Sequence, residues 1–424
     1  MDTNQPKTMA VIGAGGRGTE VYTQYAHYFP HLLQISAVAE PNDFRRKRFA
    51  EIYNVPEEMQ FKSCEEMFEK HTPDSVLIAT PDSEHYGPIL RAMEAGCHIL
   101  AEKPITNNLE ELLNLRDKIL NYDKVFLICH VLRYTMFFEN LKQILNSGKI
   151  GELVTVQHNE NVGHFHQAHS FVRGNWRNSK ESSPMILQKC CHDMDILNFL
   201  IDKECVSVSS YGSLSHFKKE KAPEGATKSC LHGCPHILEC PYSAALYIEA
   251  ELGEKPNENV LPFIGAVKSH WESDDLLTAL SLGPYGRCVY HCDNNVVDHQ
   301  VVNIKYENGV TVAFTMTGFT NKCSRTIKIM GTKGEIRGHM EKNEIIVTDF
   351  RTGLENKITY NTSEGHGGGD QGIICEFMRL IQGDLSYNLN QIKKNNKQGI
   401  DAHLMSFAAE KSRLEQQVVK LQDL

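Results

Sequence analysis

Long apolar runs and an excess of positive charge are both missing from this 424-residue sequence. No stretch reaches the roughly 18 consecutive apolar residues that a membrane-spanning helix needs, so we expect no membrane partner. Lysine and arginine total 44 against 53 aspartates and glutamates, which gives a formal charge of −9 at pH 7. That balance argues against a general nucleic-acid-binding protein, which would carry a basic face.

No signal-like segment opens the sequence, because its polar first residues lead directly into a strand-like apolar run. The 13 cysteines are odd in number, and several stand alone in ordinary apolar context. We therefore expect reduced thiols and a cytoplasmic protein, not a disulfide framework. Hydrophobic residues make up 41% and charged residues 23%, which is typical of a folded chain of two or three domains.

The N-terminal third alternates predicted strands with predicted helices. Apolar segments predict strands at Thr8–Ile12, Leu33–Ala39, Ser75–Ala79, Cys97–Ala101 and Val125–Cys129. Helical patterns lie between them, at Gly16–Tyr28, Asp43–Tyr53, Glu84–Ala95 and Leu109–Tyr122. Strands that are apolar on both faces indicate a buried parallel sheet. The βαβ order therefore predicts an α/β fold, with a doubly wound Rossmann sheet in residues 1–130.

Residues 131–424 predict a second domain of the α+β class, with a large, mostly antiparallel open sheet. Its predicted strands are Glu152–Val162, Asp298–Tyr306, Val310–Thr317, Arg325–Met330, Gly334–Gly338 and Glu344–Phe350. The dipeptide Asn308-Gly309 between two of them is a strong hairpin signal. A cysteine-containing insert at about residues 216–296 breaks the rhythm, and helical patterns at Gly372–Ile381 and Gly399–Leu421 end the chain.

The segment Gly13–Gly18 fits the pattern G-x-G-x-x-G between a predicted strand and a predicted helix. In that setting Gly13 makes the tight turn, Gly15 lets the backbone approach a pyrophosphate, and Gly18 allows close packing of helix on strand. The helix N-terminus supplies N–H groups and a favourable dipole for phosphates. The sequence therefore predicts a dinucleotide-binding site.

Glu40 ends the second predicted strand, 22 residues after Gly18. A carboxylate there can accept hydrogen bonds from both ribose hydroxyls and repels a 2′-phosphate, which favours NAD over NADP. The basic cluster 45–48 leaves NADP open, because such a cluster could hold a phosphate. Arg45 is the member that we expect near the cofactor, and the others are expected on a solvated helix face.

A second motif, Glu102-Lys103-Pro104, stands at the end of the fourth predicted strand. The carboxyl ends of parallel strands face the ligand crevice, where Lys103 could donate a proton or hydrogen bond to a reacting oxygen. The alternative is an ordinary surface pair of Glu102 and Lys103.

Together with Thr80-Pro81, His85, Trp176-Arg177 and the segment Cys191–Asp195, these motifs resemble the Gfo/Idh/MocA oxidoreductase family of glucose–fructose oxidoreductase and inositol dehydrogenase. The similarity runs in order along nearly the whole chain. It implies a Rossmann domain followed by a sheet-based domain, a homodimer or homotetramer, and NAD(P)-dependent oxidation or reduction of sugars, inositols or related polyols. Some members instead recycle bound NAD to cleave glycosidic bonds.

The resemblance also implies individual roles. Lys103 lies beside the nicotinamide and the substrate hydroxyl, and His192 serves as general acid or base. The residues implied at the cofactor are Thr80, Pro81, His85 and Glu102. His130 and Arg133 occupy the stretch where the family enters its substrate domain. The loop-like spacing of His164, His166 and His169 favours a lining of the substrate cleft over a zinc site. Trp176, whose flanks are polar, is expected there with Arg177, and the alternative for Trp176 is a core anchor.

One departure from the family concerns the residue four positions before His192. Many polyol dehydrogenases carry an aspartate there, whereas this chain has Gln188, which cannot take a proton. Lys189 would share a helix face with His192 if the helix extends that far back. Burial and the charge of Lys103 would then lower the pKa of Lys189, so the expected acid/base set is Lys103, His192 and Lys189. The alternative for Lys189 is a structural pair with an acid.

Two further clusters remain. Cys230, Cys234 and Cys240 could hold a structural zinc with a fourth ligand from elsewhere, or they could be reduced thiols in an irregular insert. Asp370 is expected to cap the helix that follows a glycine run, and His366 has a possible second role at the cleft.

The function that we expect is therefore that of an NAD-dependent, or NADP-dependent, dehydrogenase of a sugar or polyol. One alternative is a lyase or glycosidase that recycles NAD through a keto-sugar intermediate. The other is a non-catalytic nucleotide-sensing protein, which the acid/base candidates Lys103 and His192 argue against.

Overall fold

The computed structural model describes residues 5–253, 257–270, 275–360, 365–383 and 389–424. The chain folds into two compact units, each assembled from three separate segments. The first unit comprises residues 1–147, 191–202 and 360–407, and the second comprises 148–190, 203–359 and 408–424. The boundary expected at residue 130 falls inside the first segment of the first unit, which runs to residue 147. Two later segments of the chain also belong to that unit.

Within the described residues, the first unit is built on a six-stranded sheet. Its strands are β1 (Lys7–Ile12), β2 (Leu33–Ala39), β3 (Gln60–Phe61), β4 (Ser75–Ile78), β5 (His98–Ala101) and β6 (Phe126–Ile128). They lie in the order β3-β2-β1-β4-β5-β6, and every neighbouring pair is parallel. This is the doubly wound order, in which the strand order reverses between β1 and β4 and opens a crevice at their carboxyl ends.

The second unit contains a nine-stranded sheet among its described residues. Its strands are β7 (Leu153–Asn161), β8 (Cys205–Ser213), β9 (His299–Tyr306), β10 (Thr311–Thr317), β11 (Ser324–Gly331), β12 (Gly334–His339), β13 (Glu344–Asp349), β14 (Glu355–Thr359) and β15 (Val419–Lys420). All neighbouring pairs are antiparallel except β7 with β10. Burial alternates along these strands, as expected for a sheet with one open face. The predicted fold class is therefore confirmed.

The helices, in chain order, are α1 (Gln24–Tyr28), α2 (Asp43–Tyr53), α3 (Cys64–Lys70), α4 (Tyr86–Glu94), α5 (Leu109–Leu120), α6 (Met136–Asn146), α7 (His164–His166), α8 (Met185–Gln188), α9 (Cys191–Ile201), α10 (Ala245–Leu252), α11 (Ile264–His270), α12 (Leu276–Leu282), α13 (Gly369–Ile381) and α14 (Leu389–Glu415). The first helix is shorter than the sequence pattern predicts, because a single wide turn at Arg17–Val21 precedes it. Among the described helices, none combines the length and apolar character needed to cross a bilayer.

Candidate active site

The glycine-rich loop after β1 has two positions that only glycine can occupy. Gly13 has φ +95°, and a Cβ there would lie 2.6 Å from the carbonyl oxygen of Ala79. A Cβ on Gly18 would lie 2.1 Å from the carbonyl oxygen of Gly13. A Cβ on Gly15 would meet nothing within 4 Å, so the space beside that residue is open. A tight turn with open space beside its backbone fits the pyrophosphate of a dinucleotide.

Glu40 follows β2, and two backbone donors hold its carboxylate. Oε2 accepts a hydrogen bond from the N–H of Ala14 at 2.8 Å, and Oε1 accepts one from the N–H of Asn42 at 3.0 Å. The residue is 5% exposed. Each carboxylate oxygen can accept a second hydrogen bond, so this fixed anion fits the two hydroxyls of a cofactor ribose.

The basic cluster after Glu40 is partly engaged within the protein. Arg46 is buried, and its Nη1 donates to the carbonyl oxygen of Glu40 at 2.6 Å. The Nη2 of Arg48 lies 3.4 Å from a carboxylate oxygen of Glu20. Arg45, the predicted cofactor contact, is half-buried at the start of α2. Its cofactor role stays a prediction.

Thr80, Pro81 and His85 lie after β4, where the resemblance implied cofactor contacts. The His85 ring is 1% exposed and bridges two loops. Its Nδ1 lies 2.6 Å from the carbonyl oxygen of Pro104, and its Nε2 lies 2.8 Å from that of Thr80. His85 therefore joins the loops that follow β4 and β5, the second of which carries Lys103.

Glu102 and Lys103 come directly after β5. The Oε1 of Glu102 accepts from Nε of Arg17 at 2.6 Å and from the hydroxyl of Tyr22 at 2.7 Å. Its Oε2 accepts from the backbone N–H of Lys103 at 2.9 Å. Burial alone would raise the pKa of Glu102, but the charges of Arg17 and Lys103 and these hydrogen bonds outweigh it and lower the pKa. Glu102 is therefore a buried, fully ionised carboxylate beside Lys103.

Arg17 also links this carboxylate to the start of α13. Its Nη2 donates to Oδ1 of Asp370 at 2.8 Å, and Nδ1 of His366 lies 2.8 Å from Oδ2 of the same residue. The N-cap of α13 is Gly368, so the expected capping role of Asp370 is wrong. Its carboxylate binds Arg17 and His366 instead.

His192 lies in the first turn of α9. Its ring centroid is 5.9 Å from that of His130 and 6.1 Å from that of His366. Burial raises the pKa of the adjacent Cys191 thiol to about 12, and the largest opposing effect is the positive charge of Lys103. Lys103 and His192, both predicted to be catalytic, therefore lie in one neighbourhood of the first unit.

A buried ion pair holds the same region. Asp195, one turn after His192, accepts from Nε and Nη2 of Arg133, each at 2.6 Å. Burial, helped by the charges of Arg133 and Lys103, lowers the pKa of His130 well below its ordinary value, so this imidazole is neutral. Arg133 and His130 are 7% and 3% exposed, and their substrate roles stay predictions.

Sequence reasoning missed Arg17, Asp195 and His403. Arg17 is part of the glycine motif, and its place beside Gly18 was an available signal. Asp195 belongs to the segment that carried the resemblance. His403, whose ring lies 5.4 Å from that of His130, has no local signal because it stands in the middle of α14.

Lys189 belongs to the second unit and lies outside the helix of His192. Helix α8 ends at Gln188 and α9 begins at Cys191, so Lys189 stands in the turn between them. Its Nζ lies 3.4 Å from Oε1 of the fully buried Glu160. A catalytic role for Lys189 stays a prediction.

The three predicted cleft residues of the second unit have structural partners. The ring of His166 lies 5.7 Å from that of Phe171, and the ring of Trp176 lies 6.1 Å from it. Arg177 donates from Nε and Nη2 to the two carboxylate oxygens of Asp293 at 2.7 and 2.9 Å. Contact of these three residues with a substrate stays a prediction.

The predicted zinc site at Cys230, Cys234 and Cys240 is not supported. Over the described part of the chain, no group of three or more His, Cys, Asp or Glu side chains is arranged to hold a metal ion. The sulfur of Cys230 lies 3.7 Å from Nη2 of Arg173.

A doubly wound sheet with a glycine loop and an acidic residue after β2 defines a dinucleotide-binding protein. Two family models agree with that class. "Oxidoreductase family, NAD-binding Rossmann fold" matches residues 7–130, and "Oxidoreductase family, C-terminal alpha/beta domain" matches residues 142–387. The chain belongs to the Gfo/Idh/MocA oxidoreductase family, and the resemblance inferred from its motifs is confirmed.

Curated relatives and solved structures include dehydrogenases of sugars and inositols. An inositol 2-dehydrogenase of Corynebacterium glutamicum (strain R) is 29% identical over 204 residues, 47% of this chain and 56% of that protein. The D-glucoside 3-dehydrogenase of Escherichia coli K12 is 27% identical over 151 residues, 36% of this chain and 42% of that protein. Levoglucosan dehydrogenase, solved with NADH and levoglucosan, has a TM-score of 0.69 at 17% identity, covering 98% of this chain and 100% of that one. At that identity the structure shows a shared fold.

Proposed function

We propose that this protein is an NAD-dependent dehydrogenase that oxidises a hydroxyl group of a sugar, an inositol or a related polyol. The observation that carries the proposal is the position of Lys103 at the carboxyl end of β5. There it adjoins the ionised Glu102, and its charge acts on the residue next to His192. Family membership supports redox chemistry, and the names of the relatives support the substrate class.

The residues around the glycine loop divide the work of holding the cofactor. Backbone N–H groups beside Gly15 bind the pyrophosphate, and Glu40 binds the ribose diol next to the adenine. We assign Glu102 to the ribose of the nicotinamide half, as the family resemblance implies. When bound, the nicotinamide supplies the hydride acceptor.

The protein's own acid/base groups handle the proton. As the carbon–hydrogen bond of the substrate gives up its hydride, the hydroxyl proton must leave to a positioned base. We assign His192 to this step as the base, and Lys103, which carries a positive charge, as the hydrogen-bond donor to the reacting oxygen. The carboxylate of Glu102 offsets the charge of Lys103 and fixes the backbone that carries it.

NAD is the preferred dinucleotide in this proposal, and the engagement of the basic cluster supports that choice. Glu40 is a buried anion whose two oxygens are aligned by backbone donors. Arg46 turns its guanidinium to the carbonyl oxygen of Glu40, and Arg48 pairs with Glu20, so neither is directed to a phosphate. Replacing Glu40 by alanine should weaken NAD⁺ binding and reduce the difference in affinity between NAD⁺ and NADP⁺. Tighter binding of NADP⁺ than of NAD⁺ by the unaltered protein would contradict the assignment.

The first test is a substrate screen with NAD⁺ and NADP⁺. The probes are myo-inositol, a methyl D-glucoside and levoglucosan, and both the nicotinamide absorbance and the released products are followed. Net reduction of NAD⁺ by at least one probe supports the proposal. Cleavage of the glucoside without net reduction would replace it by the NAD-recycling alternative.

The second test removes the acid/base groups. Lys103→Met and His192→Ala should each lower turnover by about 10²- to 10⁴-fold, the usual contribution of a positioned acid or base. Lys118→Met, on the exposed face of α5, and the exposed His31→Ala are the matched controls. Unchanged turnover in both active-site variants would refute the site, whatever the fold.

A further inference from the structure

His366 lies in a backbone conformation that a non-glycine residue rarely adopts. Its φ is +47°, and Gly367 and Gly368 continue in the left-handed region at +62° and +86°. A side chain kept in that region marks a position held by its surroundings, and such positions cluster at functional sites. Glycine would adopt this backbone without strain, so the presence of a histidine here indicates a role for its imidazole.

The partner of the imidazole is the carboxylate of Asp370. Nδ1 of His366 lies 2.8 Å from Oδ2 of Asp370, whose other oxygen accepts from Nη2 of Arg17 at 2.8 Å. An ionised carboxylate accepts hydrogen bonds and donates none, so Nδ1 of His366 carries the hydrogen. In the neutral ring, Nε2 then has a lone pair that can take a proton.

His366 lies near His192 and is itself partly exposed to water. The two ring centroids are 6.1 Å apart, whereas the side chain of His366 is 38% exposed and that of Asp370 only 12%. The charged or titratable groups that face it are Asp370 at the start of α13, Arg17 from the glycine loop, and His192 from α9. Glu102 joins this set through Arg17.

We propose that His366, held by Asp370, is the residue through which the site exchanges its proton with solvent. The inference rests on the proposed dehydrogenase function. The substrate carbon gives its hydride to the nicotinamide, and the hydroxyl proton goes to the imidazole of His192 in the centre that it forms with Lys103. That centre is restored when the proton passes to Nε2 of His366 and then to water. His366 is thus a positioning residue that acts through His192.

The decisive variants separate the exchange role from a structural one. His366→Asn keeps an amide N–H near the position of Nδ1, so it retains the donor to Asp370 and loses Nε2. His366→Gly relieves the left-handed backbone but gives up the hydrogen bond to Asp370, so its urea midpoint is measured beside its turnover to show that it folds. We expect turnover to fall by about 10- to 100-fold in both variants, with NADH affinity unchanged within about twofold. Added imidazole should restore part of the turnover of His366→Gly.

Three results would overturn the proposal. They are near-normal turnover of His366→Asn, failure of imidazole to restore the glycine variant, and an unchanged pH–rate profile in both variants. The exposed His31→Ala, with and without imidazole, is the control.

A separate measurement does not need activity. In protein labelled with ¹⁵N-histidine, the neutral form of His366 should carry its proton on Nδ1, and a proton on Nε2 would refute the inference. If the unaltered protein oxidises none of the probes, the proposed function fails, whereas the tautomer still decides whether Nε2 is available.

Discussion

The carboxylate of Asp370 stabilises the first unit by an amount that can be worked out and tested. It is ionised between two partners, Arg17 and His366, and its side chain is 12% exposed. Burial alone would raise the pKa of Asp370, but the hydrogen bond and charge of His366, together with the charge of Arg17, lower it from 3.8 to about 2. Replacing Asp370 by asparagine keeps the shape and removes the charge.

A pKa difference of that size between the folded and unfolded states corresponds to about 2 kcal/mol of unfolding free energy. Because the guanidinium of Arg17 is 33% exposed, solvent screening places the expected loss at about 1 to 2 kcal/mol. The folded-state pKa is the lower one, so the stabilisation is complete above pH 3.8 and disappears as the pH falls through about 2. About half of it should remain near pH 3.

The assay is urea unfolding of the unaltered protein and Asp370→Asn at pH 7, 5 and 3, followed by far-UV circular dichroism. Asp123→Asn, an exposed loop residue of the same unit, is the control and should not move the midpoint. The difference between the unaltered protein and Asp370→Asn should be smaller at pH 3 than at pH 5. Identical midpoints at pH 7, or a difference that persists unchanged at pH 3, would refute the reasoning.

Three further predictions concern packing and buried charge. Gly18→Ala should lose NADH binding measured by fluorescence, because its Cβ would lie 2.1 Å from a carbonyl oxygen, whereas Gly265→Ala, in α11 with nothing within 4 Å, should bind normally. Asp195→Ala should lower the unfolding free energy by about 3 to 5 kcal/mol, because it leaves the buried guanidinium of Arg133 without its carboxylate, and an unchanged urea midpoint would contradict this. Lys189→Met should lower the unfolding free energy by about 1 to 3 kcal/mol, because Lys189 pairs with the buried carboxylate of Glu160. The loss should be smaller than for Asp195→Ala because Arg325 still pairs with Glu160, and a larger loss would point to a different role for Lys189.

Local patterns predicted most of the long strands, because the spacing of apolar residues along a strand follows which of its faces are buried. The segment Leu33–Ala39 is a strand with the predicted ends, and Asp43–Tyr53 is a helix with the predicted ends. The short β3 and β15 were missed because two residues carry no periodicity. The longer β8 and β14 were missed because most of their residues are polar and only partly buried or exposed. The helix predicted over Gly16–Tyr28 was too long, because the glycines at its start favour a turn.

The site was predictable where a residue's role depends on its place along one strand. Lys103 and Glu40 lie at the carboxyl ends of β5 and β2, and the chain order alone supplies that position. The partners of these residues come from distant segments. Arg17 contacts Asp370 across 353 positions of sequence, and no local spacing predicts such a contact.

The buried pair of Arg133 and Asp195 shows why such contacts are retained even where they add little stability. Burial raises the pKa of Asp195 above its ordinary value despite the opposing charge of Arg133, so the ionised carboxylate is less favoured in the fold than in water. The contribution of Asp195 to stability is therefore greatest below the ordinary pKa of aspartate, where its carboxyl group is protonated. That contribution is lost as the pH rises through the raised pKa of the folded state. At neutral pH the pair is better explained by position than by stability, because two hydrogen bonds of 2.6 Å fix the first turn of α9. That turn carries His192. Burying the charge of Asp195 therefore lowers stability in α9, the helix that holds the proposed acid/base group in place.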